Sequence, residues 1–106
     1  MRRWFRSGLI VLSLCAATAA WAITVNVSQV NRKFTPDTLT VAVGTTVHIV
    51  NDDKVTHHIY VDSPAMKFDS GEQPVGSTVD VVFDKQGTFT VLCAIHPTMH
   101  LSVTVQ

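Results

Sequence analysis

The sequence of 106 residues lacks most of the motifs and composition biases by which enzymes, membrane proteins and disulfide-rich proteins are recognised. It contains only two cysteines, Cys15 and Cys93. It has no repeats, linkers or low-complexity tracts, which favours a single globular domain. No segment after residue 22 has a helical period, and no cluster of a nucleophile with an acid–base partner is evident. The apolar run from Gly8 to Ala20 is shorter than a membrane-spanning helix requires. These absences argue against an enzyme, a membrane-inserted protein and a helical fold.

The first residues instead have the organisation of a secretory signal peptide. A basic segment, Met1 to Arg6, precedes the apolar run, and Ala20-Trp21-Ala22 matches the pattern of small residues at a signal cleavage site. We therefore predict a signal peptide at 1–22, a mature domain at 23–106 and a periplasmic location. A retained anchor is the less favoured alternative. Lipidation at Cys15 is disfavoured because Leu14 is too large for the preceding position.

Signal cleavage would change the charge of the protein. Removal of Arg2, Arg3 and Arg6 lowers the count of Lys and Arg from 8 to 5 against 8 Asp and Glu, a formal net charge of −3. A negative domain does not suit nucleic acid or an anionic membrane as a partner. It is compatible with docking onto a basic or neutral protein surface.

Cleavage would also leave Cys93 as the only thiol, so that no intramolecular disulfide could form. A free thiol in an oxidising compartment tends to oxidise or cross-link unless it is buried or bound to a metal. A small domain without disulfides would also gain stability from a bound metal.

The chain from Ile23 onward alternates apolar and polar residues with the period of half-buried strands. Glycine, proline and Asn/Asp clusters separate most of these runs. The pattern of about seven short strands predicts an all-β fold, an antiparallel sandwich or barrel. The expected strands are 23–28, 39–43, 46–50, 57–61, 78–83, 88–92 and 101–105. The segment from Asp62 to Gly76 is interpreted as a long loop whose Met66 and Phe68 cover one edge of the core.

A thiol, an imidazole and a thioether lie within seven residues near the C-terminus, at Cys93, His96 and Met99. Each of them alone would be unremarkable, because buried cysteine and methionine are ordinary core residues. Together, and with one more imidazole, they form the donor set of a mononuclear copper electron-transfer site. Zinc is the main competing metal, but zinc sites rarely use a thioether. The spacing Cys-x2-His-x2-Met therefore predicts one copper ion.

The missing imidazole is expected from His57, which follows the turn at 51–56. In a strand starting there, alternation places His57, Ile59 and Val61 on one face and His58 on the other. Ile59 and Val61 are apolar and identify the core side, so His57 is expected to point inward. His58 remains an alternative ligand.

The mature domain resembles the small cupredoxins, the type 1 copper proteins that include amicyanin, plastocyanin and pseudoazurin. The resemblance runs from Phe34-Thr35-Pro36 and Leu39-Thr40-Val41 through Gly44-Thr45-Thr46-Val47 and Asn51 to the segment Cys93 to Met99. The short ligand loop, with Pro97 after the histidine, is most similar to that of amicyanin. The resemblance implies a Greek-key β-sandwich of about seven to eight strands. It also implies that His57, Cys93 and His96 are equatorial copper ligands and that Met99 is the axial ligand.

The resemblance also implies that His96 is the exposed edge of the site, surrounded by an apolar patch with Pro64, Ala65, Pro97 and Thr98 as candidate members. One departure from the family concerns His58. The family usually has an asparagine there, whose side chain connects the two ligand loops, so this connection must be replaced or lost. His100 and His48 are interpreted as surface residues.

The leading functional prediction is a periplasmic one-electron carrier that exchanges electrons with a redox partner protein and acts as a monomer. The alternative is a copper-tolerance or copper-trafficking cupredoxin, in which His58, His100 and Met66 would form a second, looser copper site and the partner would be a copper-handling protein. A third possibility is a metal-free interaction module. No catalytic site is expected.

Overall fold

A computed structural model describes residues 23–106, and the predicted signal peptide lies outside the described residues. Within 23–106 the fold is an all-β sandwich, as predicted, with none of its residues in a helix able to span a membrane. Its strands are β1 (Thr24–Val30), β2 (Lys33–Thr35), β3 (Thr38–Val41), β4 (Thr45–Asn51), β5 (Ile59–Ser63), β6 (Met66–Asp69), β7 (Thr78–Phe83), β8 (Gly87–Cys93) and β9 (His100–Val105).

The strands form two mixed sheets. One has the order β2-β1-β4-β7 and the other the order β3-β9-β8-β5-β6. Two pairs, β1 with β4 and β3 with β9, are parallel, whereas the sequence pattern suggested antiparallel sheets throughout. Alternation alone cannot reveal this difference, because parallel and antiparallel strands share the same side-chain period of two.

The alternating pattern fills the space between the two sheets. In β4 the side chains of Thr45, Val47, Ile49 and Asn51 are buried, while those between them are half-buried. Valine, isoleucine and phenylalanine residues from both sheets form one continuous core, which also includes Cys93 and Met99. Val and Thr suit these strands because β-branched side chains pack well on a pleated surface.

Two short strands were not predicted, and β5 begins two residues later than predicted. β2 has three residues and β6 has four, so that each contains too few alternations to stand out from a turn. β6 lies inside the segment interpreted as a long loop, where Met66 and Phe68 do pack against the core. β5 begins at Ile59, and His57 forms an isolated β-bridge with Gln73 before it.

Gln29 is the polar exception on the inner face of β1. Its side chain is 0% exposed, and neither its amide oxygen nor its amide nitrogen has a hydrogen-bond partner within residues 23–106. An unpaired buried polar group costs about 1–3 kcal/mol. We therefore expect Gln29→Met, which keeps the length of the side chain, to stabilise the fold by about 1–2 kcal/mol in urea unfolding. A lower urea midpoint for the variant would contradict this assignment.

Candidate metal centre

The C-terminal donors lie on the loop that connects β8 to β9. Cys93 is the last residue of β8, where its side chain alternates inward and is 2% exposed. Beyond it the backbone N–H of Met99 donates a hydrogen bond to the carbonyl of His96 at 3.0 Å, which closes a four-residue turn. Pro97 occupies the second position of this turn, where its fixed φ is favourable. The short loop thus returns the chain to β9 with Cys93, His96 and Met99 at one end of the sandwich.

His57 is held at the same end by backbone hydrogen bonds on both sides. Its N–H donates to the carbonyl of Gln73 at 3.0 Å, and the N–H of Gln73 donates back at 2.7 Å. On the other side, the N–H of Ala94 donates to the carbonyl of His58 at 2.8 Å. This last bond joins the two segments that carry the donors.

Three donor atoms converge. The Sγ atom of Cys93 is 3.7 Å from Nδ1 of His57 and 3.8 Å from Nδ1 of His96, and the two Nδ1 atoms are 3.2 Å apart. The centre of this triangle is about 2.1 Å from each atom, close to the bond lengths that imidazole nitrogen and thiolate sulfur make with a metal. His57, Cys93 and His96 therefore fit a single metal ion.

The three donors differ in exposure. His57 is 0% exposed, as the alternation argument predicted, whereas His96 is half-buried and lies at the surface. Burial lowers the pKa of His96 below its usual value, and the neighbouring His57 adds to this effect. The lowered pKa favours the neutral imidazole that a metal requires. Met99 is 1% exposed and lies near the three donors.

The other histidines lie elsewhere. The ring of His58 contacts the carboxylate of Asp69, and the ring of His48 contacts Asp80 on the adjacent strand β7. Nε2 of His100 is 3.2 Å from the carbonyl oxygen of Pro97. Within residues 23–106, the group His57, Cys93 and His96 is the one set of three His, Cys, Asp or Glu whose ligand atoms all lie within 4.8 Å of one another.

The structure does not bring His58, His100 and Met66 together. Met66 is paired with Ser63 in the β5–β6 hairpin and packs against the core. His58 and His100 have the separate partners described above. The second copper site that would support a trafficking role is therefore not assembled within 23–106.

The prediction that Pro64 and Ala65 belong to the apolar patch around His96 is wrong. β5 is paired with Cys93 at its first residue, Ile59, and then runs away from the metal centre. Its hairpin turn, Pro64-Ala65, therefore lies at the opposite end of the sheet. There the Nζ atom of Lys85, from the turn before β8, donates to the carbonyl of Ala65 at 3.0 Å.

The exposed residues that do flank His96 come from the ligand loop itself. Pro97 and Thr98 are exposed, as predicted, and Ile95 is 47% exposed directly before the histidine. An exposed isoleucine beside a half-buried ligand candidate provides an apolar contact surface at the point where the centre approaches the solvent.

Sequence reasoning missed the polar residues that organise the segment before His57. Asn51 is 0% exposed; its Nδ2 donates to the carbonyls of Val55 and Gln73, and its Oδ1 accepts from the N–H of Asp53. The Oδ2 atom of Asp53 is 3.0 Å from Nε2 of His57. The cluster Asn51-Asp52-Asp53 indicated only a turn, although a carboxylate four residues before the histidine was a usable signal.

Asp53 predicts a specific acid sensitivity. The backbone N–H of Arg32 is the main cause that lowers its pKa to about 2, with contributions from the N–H of Lys54 and from His57, while burial opposes them. Since the folded-state pKa lies below the ordinary value of 3.8, the carboxylate stabilises the fold above about pH 4 and loses this contribution toward pH 2. The contribution is at most about 2 kcal/mol.

The measurement is urea unfolding of the metal-free protein between pH 5 and pH 2. Asp53→Asn should lower the stability at pH 5 and flatten its decline with acidification, whereas Asp52→Asn should leave the wild-type slope. Parallel curves for the wild type and Asp53→Asn would contradict the prediction.

Solved structures of other proteins share this fold. A comparison with curated proteins gives no match. Among solved structures, a purple cupredoxin from Nitrosopumilus maritimus is 28% identical, with 77% of this chain and 99% of that chain covered and a TM-score of 0.69. A copper-containing nitrite reductase from Thermus scotoductus SA-01 is 29% identical over 79% of this chain but only 22% of its own length, with a TM-score of 0.70.

A methionine-to-glutamine variant of amicyanin in its Cu(I) form shares the fold, with a TM-score of 0.72, 21% identity, and coverage of 78% of this chain and 82% of that chain. The sequence profile of the cupredoxin-like domain matches residues 6–105. With nearly the whole chain matched and the fold shared, this protein belongs to the family of cupredoxin-like domains.

Proposed function

We propose that the protein binds one copper ion through His57, Cys93, His96 and Met99 and carries single electrons between redox partners. The observation that carries this proposal is the convergence of Sγ of Cys93 with the Nδ1 atoms of His57 and His96 at 3.2–3.8 Å. Met99 adds a buried thioether nearby. A thiolate and a thioether suit Cu(I), and imidazoles suit both oxidation states.

The surroundings of the donors favour electron transfer. Copper bound there would supply a Cu(II)/Cu(I) couple. Regular backbone pairing fixes two of the donors in place. Cys93 is the last residue of the central strand β8, and His57 forms a β-bridge with Gln73. A frame that resists movement keeps the ligand geometry similar in both oxidation states, which lowers the cost of changing between them.

The half-buried ring of His96 supports a route for electrons to a partner. His57 and Cys93 are enclosed, so His96 is the donor closest to the solvent. The exposed Ile95 and Pro97 flank it, and an apolar contact there would exclude water between the ring and a redox partner protein. We further propose that the protein is periplasmic and monomeric, with the segment 1–22 as its signal peptide.

The test is a copper titration of the purified protein, followed by voltammetry. We expect one Cu(II) per chain, an intense visible thiolate-to-copper absorption, and a reversible one-electron couple. Binding without a reversible couple would contradict the carrier function. Absence of the absorption would contradict the proposed ligand set.

The trafficking alternative is separated by a transfer assay with a Cu(I) chelator of graded concentration as acceptor. A carrier should retain its ion, whereas a trafficking protein should release it rapidly. The carrier is favoured because His58, His100 and Met66 lie apart. A nitrite reductase activity is not proposed, since the chain corresponds to 22% of that relative.

A further inference from the structure

The carboxylate of Asp53 lies between the candidate ligand His57 and a β-hairpin turn on the opposite side. Its Oδ2 atom is 3.0 Å from Nε2 of His57 and accepts the backbone N–H of Arg32 at 2.8 Å. Its Oδ1 accepts the N–H of Lys54 at 2.8 Å. Both carboxylate oxygens are therefore held in place by the chain.

The orientation of His57 gives these contacts a chemical consequence. Nδ1 faces Sγ of Cys93 and Nδ1 of His96, while Nε2 faces Asp53. Since an ionised carboxylate can only accept hydrogen bonds, Nε2 must carry the proton. In the neutral imidazole the unprotonated nitrogen is then Nδ1, the one that faces the metal centre.

Each oxygen of the Asp53 carboxylate accepts a backbone N–H, from Arg32 and from Lys54, and hydrogen bonds of this kind favour the ionised form. Its side chain is 9% exposed and that of His57 is 0% exposed, so water screens the charge less than at the surface. Asp53 thus places one negative charge next to the candidate metal centre.

The turn that holds Asp53 is unusual. Asn31 and Arg32 connect β1 to β2 with φ of 52° and 58°, the left-handed values required at both centres of a two-residue hairpin turn. Arg32 adopts this conformation without being a glycine, and its N–H is directed to Asp53. A turn distant in sequence from the ligands is therefore connected to His57 through one carboxylate.

We propose that Asp53 is a positioning residue for the metal ligand His57: it holds the ring as the Nε2–H tautomer, and its charge favours the oxidised metal. The effect on the metal rests on the proposed copper function, whereas the tautomer does not. Carboxylates that accept from a metal-bound histidine orient its ring and raise its basicity. The raised basicity and the negative charge both stabilise Cu(II) relative to Cu(I).

The tautomer is tested on the metal-free protein with ¹⁵N-labelled histidine. We expect the NMR spectrum to show His57 protonated at Nε2 and not at Nδ1, with the Nε2 proton protected from exchange. Asp53→Asn should weaken this protection, and Asp52→Asn should not. A wild-type His57 protonated at Nδ1 would overturn the proposal whether or not the protein binds copper or the variants fold.

The charge is tested by voltammetry of the copper form. At a fixed electrode potential, Asp53→Asn should raise the ratio of Cu(I) to Cu(II) about tenfold, a shift of 59 mV for one electron. Asp52→Asn is the matched control, because it removes the same charge from an exposed neighbour whose carboxylate accepts from Ser28 Oγ. It should change the ratio less than threefold.

Equal shifts in the two variants, or a fall in the ratio for Asp53→Asn, would overturn the role of Asp53. If the wild type had the Nε2–H tautomer but no reversible couple, the positioning of His57 would stand and the electron-carrier function would fail.

Discussion

His57→Ala is expected to abolish the visible thiolate-to-copper absorption, and His58→Ala is expected to keep it. His57 is fully buried with Nδ1 directed at Cys93 and His96, whereas His58 is directed at Asp69. Loss of groups that only support metal ligands typically lowers metal affinity 10–100-fold. Loss of a donor should therefore lower copper affinity by at least about 100-fold.

The comparison of two adjacent histidines makes this experiment specific. Both variants remove one imidazole, so changes in composition or net charge cannot explain a difference between them. Copper titrations followed by absorption and by competition with a chelator supply the two readouts. Loss of the absorption with His58→Ala and its retention with His57→Ala would show that the ligand assignment is wrong.

Asn51→Ala is expected to destabilise the fold by about 3 kcal/mol or more. The side chain joins three parts of the molecule, because it donates to the carbonyls of Val55 and Gln73 and accepts from the N–H of Asp53. Each hydrogen bond contributes about 1 kcal/mol, and backbone groups left buried without a partner add to the loss. Small domains have a total stability of about 5–15 kcal/mol, so the loss would be a large fraction.

Asn26→Ala is the matched control, since Asn26 is exposed on β1. It should change the free energy of unfolding by less than about 0.5 kcal/mol. Urea unfolding of the metal-free forms measures both values. Copper affinity should also fall in Asn51→Ala, because Gln73 and Asp53 contact His57 directly. Similar stabilities of the two variants would contradict the central role of Asn51.

The main features of the fold were predictable because they depend on local patterns. Alternation in Thr46 to Val50 and in Thr78 to Phe83 identified strands that the structure contains, and the all-β sandwich is confirmed. The same reasoning correctly placed His57 inside and His58 outside. Its role as a copper ligand remains a prediction.

The features that sequence could not supply depend on the path of the chain in space. The parallel pairing of β1 with β4 could not be predicted, because the alternation of apolar and polar residues is the same in parallel and antiparallel strands. The resemblance placed Pro64-Ala65 beside His96, but β5 carries this turn to the opposite end of the sheet. The contact of Asp53 with Arg32 depends on a hairpin turn 21 residues away in sequence, which no short-range pattern encodes.

The position of β9 between β3 and β8 has a consequence for how the protein reaches its folded state. β9 pairs with both β3 and β8, so the larger sheet is split until the last strand is inserted. Such long-range pairings are slow to form, and all-β domains that depend on them typically fold in milliseconds to seconds. The segment with Cys93, His96 and Met99 joins β8 to β9, so its two ends reach their final separation only when that pairing forms. Cys93 is the single thiol of the described chain, and we expect it to stay open to oxidants for as long as this pairing is incomplete.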